Sequence, residues 1–247
     1  MNNRVYLVTA ASRGLGYGVA ETLVREGAKV IICGRTEESL QEATSKLGEN
    51  AQYKVADISK QGDVRALIDF VKEEHGKLDG LFVNAGGPPP GRFSDISDED
   101  WGEGFHLTLM SAIWLTREAI PLLKKTDHPS ILYSTSISVK QPIDNLLLSN
   151  ALRPAVIGLM RTLSAEIGPD GVRINAVCPG YIYTDRIEEL MAGNKSAKEA
   201  IESRIPLGRM GRPDEFGRIC TFLLSPIASY IHGALLLIDG GLYRGMM

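Results

Sequence analysis

The residues best suited to chemistry lie near the amino terminus, in a turn rich in glycine and small side chains. The segment 9–18 reads Thr-Ala-Ala-Ser-Arg-Gly-Leu-Gly-Tyr-Gly, between an apolar strand pattern at 5–8 and a helical pattern. Small residues let backbone N–H groups approach a phosphate, and a helix N-terminus favours anions. The pattern predicts a pyrophosphate-binding turn, with a tight strand-to-helix turn as the purely structural alternative.

A second chemical signal follows the second predicted strand, which ends at Cys33-Gly34-Arg35. A dinucleotide with a free ribose 2′-hydroxyl usually meets an acidic residue at this place. Here Gly34 leaves space, and the guanidinium fork of Arg35 suits a 2′-phosphate. Arg13 of the first turn could reach the same group. Two arginines and no carboxylate favour NADP over NAD. The alternative is that both arginines are solvated surface side chains.

Hydrophobic periodicity indicates which elements carry these residues. Continuous apolar runs alternate with segments of helical spacing, which predicts a parallel sheet covered on both faces. The predicted strands are 5–8, 29–33, 53–56, 81–83, 131–134, 172–177 and 235–238, and the helices include 19–24, 36–47, 64–71, 101–125, 155–167 and 215–224. The segment 183–207 lacks strand character and is predicted to be an insertion with short helices, a candidate lid. We expect one domain over 1–247.

Composition limits the function classes. Lys and Arg number 27 against 30 Asp and Glu, so the surface is not the basic one that a general nucleic-acid binder needs. No apolar run approaches the roughly 20 residues of a membrane helix. The cysteines at 33, 178 and 220 lie in separate apolar segments, which predicts three buried, reduced thiols and a cytoplasmic location. The histidines show no metal-ligand spacing.

Several motifs, in order, resemble the short-chain dehydrogenase/reductase family over essentially the whole chain. Residues 9–16 resemble its TGxxxGxG turn with Ala10 at the first glycine, and 84–87 its NNAG motif with Val83 at the first Asn. Segments 179–184, 206–215 and 239–241 resemble its PGxxxT loop, the segment after the substrate loop, and its carboxyl-terminal DGG. Within the family, the group of 3-oxoacyl-carrier-protein reductase and glucose 1-dehydrogenase is most similar.

The resemblance implies a three-layer doubly wound (Rossmann) α/β fold with about seven parallel strands. It also implies which residues contact the cofactor, with Asp57 and Ile58 at the adenine and the 179–184 loop at the nicotinamide. The cofactor-binding residues expected in this way are Thr9, Ser12, Arg13, Gly14, Leu15, Gly16, Arg35, Asp57, Ile58, Asn84, Ala85, Gly86, Arg153, Pro179, Gly180, Ile182 and Thr184.

The family's catalytic residues are Ser, Tyr and Lys with a supporting Asn, and the match is incomplete. The Ser falls on Ser136, but Ser149 stands at the Tyr position, Arg153 at the Lys position and Thr108 at the Asn position. A tyrosine hydroxyl can be tuned toward neutrality, whereas serine is a much weaker acid. Arginine keeps its proton in proteins, so Arg153 is expected to fork onto ribose hydroxyls and to supply charge.

The proton must then come from another group. Tyr181 and Tyr183 lie in the nicotinamide-facing loop, Lys140 lies four residues after Ser136, and a water molecule could also serve. Each has a plain alternative, since the tyrosines could pack against the pocket and Lys140 could be solvated. Pro154 lacks a backbone donor, so the helix that follows is expected to start late or to kink.

Three functions are therefore open. The first is an NADP-dependent oxidoreductase acting on a small carbonyl or alcohol substrate, either 3-oxoacyl reductase-like or sugar/alcohol dehydrogenase-like. The second is a catalytically degenerate NADP-binding sensor or partner subunit, which the missing Tyr and Lys favour. The third resembles halohydrin dehalogenases, which also carry Arg at the Lys position. The family resemblance further implies a homotetramer or homodimer, while the sequence does not indicate the substrate.

Overall fold

Seven strands form one parallel sheet. The computed structural model describes residues 1–184, 187–188 and 195–246. The strands are β1 (Val5–Val8), β2 (Lys29–Gly34), β3 (Ala51–Val55), β4 (Gly80–Val83), β5 (Ser130–Ser134), β6 (Arg173–Pro179) and β7 (Leu235–Ile238). Their order across the sheet is β3-β2-β1-β4-β5-β6-β7, and all neighbouring pairs are parallel. The doubly wound fold is confirmed.

Helices cover both faces of the sheet. They are α1 (Gly14–Arg25), α2 (Glu37–Leu47), α3 (Gln61–His75), α4 (Asp98–Phe105), α5 (Ser111–Leu123), α6 (Leu147–Ile167), α7 (Lys195–Glu202) and α8 (Pro213–Leu224). Strand residues alternate between two cores, as the period of two requires. Val5 and Leu7 pack with residues of α3, α5 and α6, whereas Tyr6 and Val8 pack with residues of α1, α2 and α8.

The long helical stretch expected over 101–125 is present, but it contains a π-helical turn. The chain forms α4, then one wider π-helical turn at His106–Met110, then α5. The start of α4 also lies earlier, because Ser97 and Asp100 form a reciprocal capping box. A π turn adds a residue to the helix and rotates the side chains that follow it. It places Thr108 toward the interior, where its side chain is buried.

The helix around Pro154 was expected to start late, and this expectation is wrong. Helix α6 begins at Leu147, and the Asn150 N–H already donates to Leu146 O at 2.9 Å. Proline removes only one donor from this helix, and Val156 and Met160 bury the following turns against the sheet. Ser149 and Arg153 therefore lie one turn apart on the same helix face.

The remaining expectations concern small or partly described features. All three cysteines are buried free thiols, as predicted. Within the expected insertion 183–207 the structure describes α7, while residues 185–186 and 189–194 lie outside the described part. Among the helices of the described ranges, none is long and apolar enough to cross a membrane. The described residues also contain no group of three or more potential metal ligands.

Candidate active site

One large cleft lies at the carboxyl ends of the strands, where open parallel sheets bind ligands. Its volume is about 820 Å³. Twelve of the sequence-predicted residues line it: Ser12, Arg13, Gly14, Leu15, Arg35, Asp57, Ile58, Asn84, Ala85, Gly86, Arg153 and Thr184. The cleft thus joins residues from both halves of the sheet into one continuous surface.

The turn after β1 presents an uncapped helix N-terminus to the cleft. Helix α1 begins at Gly14, its N-cap residue Arg13 makes no side-chain cap, and its first turn holds no acidic residue. The first N–H groups of such a helix lack intrahelical partners. A Cβ on Gly16 would lie 2.5 Å from Ala10 O, so only glycine allows this tight turn. The turn has the form of an anion-binding site.

A buried brace holds this turn against the end of β4. Thr9 Oγ1 donates to Asn84 O at 2.6 Å and accepts from Asn84 N at 2.9 Å. The Asn84 amide donates to Thr9 O and Ala10 O at 3.3 and 3.2 Å. Thr9 and Gly16 were predicted as cofactor contacts, but neither lines the cleft. They shape the turn beneath it.

Basic and hydroxyl side chains collect at one end of the cleft, around the carboxyl end of β2. Arg35 lies there with Ser12, Thr36 and Ser39, and all four line the cleft. Thr36 is the N-cap residue of α2, but its hydroxyl makes no capping hydrogen bond. Sequence reasoning missed Ser39. Its signal was a hydroxyl in the first turn of the helix that follows the arginine.

The neighbouring carboxylate is Asp57, after β3. Burial raises its pKa, but the hydrogen bonds from Ser59 N and Oγ, at 3.1 and 2.7 Å, and the charges of Lys60 and Arg35 outweigh this and lower the pKa overall. The carboxylate is therefore charged at neutral pH. It can accept hydrogen bonds from a ligand amine in the cleft.

At the opposite end, Arg153 of α6 reaches the cleft. Its Nη1 donates to Thr135 O at 2.9 Å and to Ser134 O at 3.4 Å, both at the end of β5. Its Nε is buried and has no hydrogen-bond partner in the part of the chain that the structure describes. Burial lowers the pKa of this guanidinium to about 10, while the nearby Cys178 opposes the shift. Arg153 therefore remains charged at neutral pH, and a negative charge nearby would stabilise it.

A second, much smaller cavity lies behind Arg153. It is about 10 Å³ in volume and is lined by Thr108, Ser111 and Tyr133 besides Arg153. Thr108 Oγ1 is buried and, like Arg153 Nε, has no partner. The Tyr133 hydroxyl bonds Thr116 Oγ1 at 2.6 Å, and burial raises its pKa. Tyr133 therefore stays protonated and is bound away from the cleft.

The remaining predicted catalytic residues lie beside the cleft but do not line it. Ser136 caps a short helical turn at 137–139, and its Oγ accepts from Ser138 N at 3.1 Å. Lys140 ends that turn. Ser149, in α6, is 7% exposed. Ser136 and Lys140 follow β5, and Ser149 O accepts from Ser138 Oγ at 3.5 Å, so the fold brings these residues to the same end of the sheet as Arg153.

The loop after β6 contributes one cleft residue. Thr184 lines the cleft, and its Cγ2 would lie 3.8 Å from a Cβ on Gly14. Pro179, Gly180 and Ile182, predicted with it, do not line the cleft. Gly180 N donates to Ile238 O at 3.0 Å and Ile182 is buried, so these contacts hold the segment that carries Thr184.

The two loop tyrosines make other contacts. Tyr183 is hydrogen-bonded to Glu188, which raises its pKa, and the Lys198 ammonium lies 5.1 Å from its ring centroid. Tyr181 packs against a small cluster around Ile137 and Met210. Tyr181 therefore has a packing role, which was the alternative to proton donation. The Tyr183 hydroxyl already has a hydrogen-bond partner.

Several cleft residues were not predicted as contacts. They are Ala10, Gly34, Thr36, Ser39, Ala56, Gly87, Pro88, Pro89, Glu103, Leu107, Ser134 and Thr135. Most are immediate neighbours of predicted residues in the sequence, so their position could have identified them. Glu103 and Leu107 had no such signal: Glu103 lies in α4, Leu107 lies in the π turn, and the helix pattern at 101–125 did not reveal this turn.

The fold and cleft define a dinucleotide-binding protein of the doubly wound class, and the comparisons narrow the class to a family. Residues 9–243 match the family model described as enoyl-(acyl carrier protein) reductase. The chain is 31% identical over 242 residues to 3-oxoacyl-[acyl-carrier-protein] reductase of Escherichia coli K12, covering 97% of each. The chain belongs to the short-chain dehydrogenase/reductase family.

Two solved structures show the same fold with NADPH bound. One is a short-chain oxidoreductase from Pseudomonas aeruginosa PAO1 that contains an atypical catalytic center. It has a TM-score of 0.92 at 30% identity, covering 99% of this chain and 100% of that one. The other is L-sorbose reductase from Gluconobacter frateurii with L-sorbose. It has a TM-score of 0.94 at 27% identity, covering 100% of this chain and 98% of that one. The family's reductases thus include NADPH-binding enzymes of this shape.

Proposed function

We propose that this protein is an NADP-dependent oxidoreductase that interconverts a small carbonyl compound and its alcohol, as 3-oxoacyl reductases or sugar and alcohol dehydrogenases do. The observation that carries the proposal is the single cleft from the uncapped start of α1 to the Arg153 guanidinium. The residues present fit the dinucleotide, because the uncapped start of α1 and the guanidinium groups of Arg35 and Arg153 line one cleft. The NADPH-bound relatives support this choice.

Each part of the cleft would hold one part of the cofactor. The N–H groups of 14–16 would hold the pyrophosphate, and Arg13 and Arg35 the 2′-phosphate. Asp57 and the main chain of 84–86 would contact the adenosine, and Thr184 the nicotinamide amide. When bound, NADPH supplies the hydride that is added to the carbonyl carbon.

The chain's own residues would orient and stabilise the substrate. Ser136 and Ser149 offer hydroxyl donors to the carbonyl oxygen, and the Arg153 charge stabilises the negative charge that develops there. Neither Ser149 nor Arg153 can donate the proton at neutral pH, because a serine hydroxyl is a very weak acid and arginine keeps its proton. Lys140, Tyr183 or water must therefore supply it. Tyr183 is the least favoured, since its hydroxyl is bound to Glu188.

Calorimetry followed by turnover assays would test the proposal. The purified protein should bind NADPH more tightly than NADH, and a panel of carbonyl compounds should include one that consumes NADPH absorbance. A crystal with NADPH would then show which group lies about 3 Å from the substrate oxygen. Absence of heat with both nucleotides would overturn the assignment.

The second candidate is a nucleotide sensor or partner subunit without turnover. Ser149 and Arg153 at the positions of the family's Tyr and Lys favour it. Such a protein would bind NADPH with the same preference but leave its absorbance unchanged across the whole panel. The two candidates therefore share the binding result and differ in turnover.

We also infer a homotetramer or homodimer in the cytoplasm. Exposed apolar side chains support association, since Leu236 on the edge strand β7 is 40% exposed and Ile227, in the turn after α8, is 82% exposed. Burying such a patch against a second copy would stabilise an oligomer. Sedimentation of the purified protein tests this, and a monomer at micromolar concentration would contradict it.

A further inference from the structure

The segment that carries Thr184 is held by a distant part of the chain. Thr184 lines the cleft, and its Cγ2 lies 3.8 Å from the place where a Cβ on Gly14 would lie. Just before it, Tyr181 O accepts from Gly211 N at 3.0 Å, and Tyr183 N donates to Gly211 O at 2.8 Å. These two hydrogen bonds form a short parallel bridge. The position of Thr184 relative to the start of α1 therefore depends on where Gly211 lies.

An ion pair holds the main chain on both sides of Gly211. Arg209 and Glu215 form a bidentate pair, hereafter the clamp, in which Nη1 donates to Oε2 and Nη2 to Oε1, each at 2.8 Å. Arg209 Nη1 also donates to Met210 O at 3.1 Å, and Glu215 Oε2 also accepts from Arg212 N at 2.9 Å. The clamp thus contacts the backbone immediately before and after the residue that makes the bridge.

Exposure alone would make this ion pair weak. The side chains of Arg209 and Glu215 are 48% and 30% exposed, and exposed ion pairs usually contribute little because water screens them. A bidentate guanidinium–carboxylate pair is the exception, since two parallel hydrogen bonds fix its geometry. The hydrogen bonds from Arg209 and from Arg212 N lower the pKa of Glu215 to about 2. The clamp is therefore fully charged at neutral pH.

The clamp is anchored to the helix that packs against the phosphate turn's own helix. Glu215 lies in the first turn of α8. Helices α8 and α1 approach so closely that a Cβ on Gly18 of α1 would lie 2.7 Å from Pro213 O. Phe216 of α8 and Val19 of α1 belong to the same buried core. This packing gives the clamp a fixed position relative to the start of α1.

We propose that Arg209 and Glu215 are positioning residues for the nicotinamide half of the dinucleotide, because they fix the segment 181–184 against which this half would bind. The inference rests on the proposed function, in which Thr184 contacts the nicotinamide amide. Neither side chain of the clamp lines the cleft, so the pair acts through Gly211 and not by touching the ligand. The adenosine half would bind after β2 and β3, and its affinity does not depend on the clamp.

The alternative is that Glu215 only stabilises the start of α8. Its carboxylate accepts from the N-cap residue Arg212, and such a contact stabilises a helix wherever it occurs. In that case, loss of the clamp would lower the melting temperature but would not distinguish one half of the dinucleotide from the other. The affinity for the whole dinucleotide, divided by that for its adenosine half, therefore separates the two roles.

Calorimetry with NADPH and with adenosine 2′,5′-bisphosphate, which lacks the nicotinamide half, measures this ratio. In Arg209→Gln we expect the NADPH affinity to fall about threefold to tenfold and the bisphosphate affinity to change less than about twofold. Glu215→Gln should act in the same way, since it keeps an oxygen for Arg212 N but loses the charge. The control Arg218→Gln removes an exposed ion pair with Asp214 of the same helix and should change neither affinity. Equal changes for both ligands in Arg209→Gln, or no change for either, would overturn the proposal.

Hydrogen exchange tests the structural step without any ligand. The amide hydrogens of Tyr183 and Gly211 are bonded in the bridge, so mass spectrometry should show faster exchange in Arg209→Gln and unchanged exchange in Arg218→Gln. Unchanged exchange in Arg209→Gln would overturn the proposal and leave the oxidoreductase function intact. Absence of NADPH binding by the unsubstituted protein would instead overturn the proposed function, and this inference with it.

Discussion

The two ends of the cleft are built from different kinds of groups. At the end that we propose to bind the cofactor phosphates, hereafter the phosphate end, α1 offers backbone N–H groups, and the brace between Thr9 and Asn84 holds their turn in place. At the other end, hereafter the reacting end, the proposed chemistry depends on side chains such as Ser149 and Arg153. Backbone donors depend little on which side chains are present, as long as the turn can form. Side-chain chemistry changes with a single substitution, and we propose that this chain differs from its family there.

Ala10 illustrates the tolerance of the phosphate end. It stands where the family motif has glycine, and it adopts a φ of 48°, in the region that glycine favours. An L-residue there costs roughly 1–2 kcal/mol. The Asn84 amide bonds to Ala10 O and holds this conformation. The shape of the turn survives because tertiary contacts offset a local cost.

The largest effect is expected from Gly16→Ala at the phosphate end. The new Cβ would meet Ala10 O at 2.5 Å and Ala11 Cα at 2.8 Å, both backbone atoms. Overpacking of about 1–3 kcal/mol should distort the turn and weaken NADPH binding up to about 100-fold. Gly62→Ala is the matched control, because no atom lies within 4 Å of its Cβ position. Equal affinities by calorimetry would show that the turn does not form the phosphate site.

Arg35→Ala should discriminate between the two nucleotides. Loss of one charged hydrogen-bond donor costs about 1.5–3 kcal/mol, so NADPH affinity should fall about 10- to 100-fold while NADH affinity changes little. Titration of both nucleotides measures the ratio, and Arg65→Ala on α3 serves as a control. Equal losses for NADPH and NADH would rule out the 2′-phosphate role.

Ser149→Ala should have a smaller effect, at the reacting end. A neutral hydrogen bond contributes about 0.5–1.5 kcal/mol, so kcat/KM for the best carbonyl substrate should stay within about tenfold. Ser45→Ala, on the exposed face of α2, is the control. A collapse to background would mean that Ser149 is essential, and that the replaced tyrosine position still carries the chemistry.

Ala10→Gly should have the smallest effect, and it should stabilise the protein rather than weaken one of its functions. Relief of the positive φ should raise the melting temperature by about 1–3 °C, given a gain of up to about 1 kcal/mol in a chain of this size. Ala155→Gly, at an exposed position of α6, should lower it, because glycine weakens a helix interior. A decrease for both variants would mean that Ala10 is not strained.

Sequence reasoning succeeded where local pattern and function coincide. The glycine turn, the strand alternation and the residues at the ends of β2 and β4 could be predicted, because each motif lies directly after its own strand. The start of α6 could not. Pro154 is a strong local signal, but burial of Val156 and Met160 against the sheet outweighs one missing hydrogen bond.

The sequence by itself determined the fold class, the glycine-rich turn after β1 and the chemical types of Ser149 and Arg153. It also determined that serine and arginine are poor proton donors, since acidity belongs to the functional group. Only the tertiary structure decided that Thr108 and Arg153 line one small cavity, where Thr108 Oγ1 and Arg153 Nε are buried without a hydrogen-bond partner among the described residues. Packing decides which distant segments meet in space, and no local pattern records that.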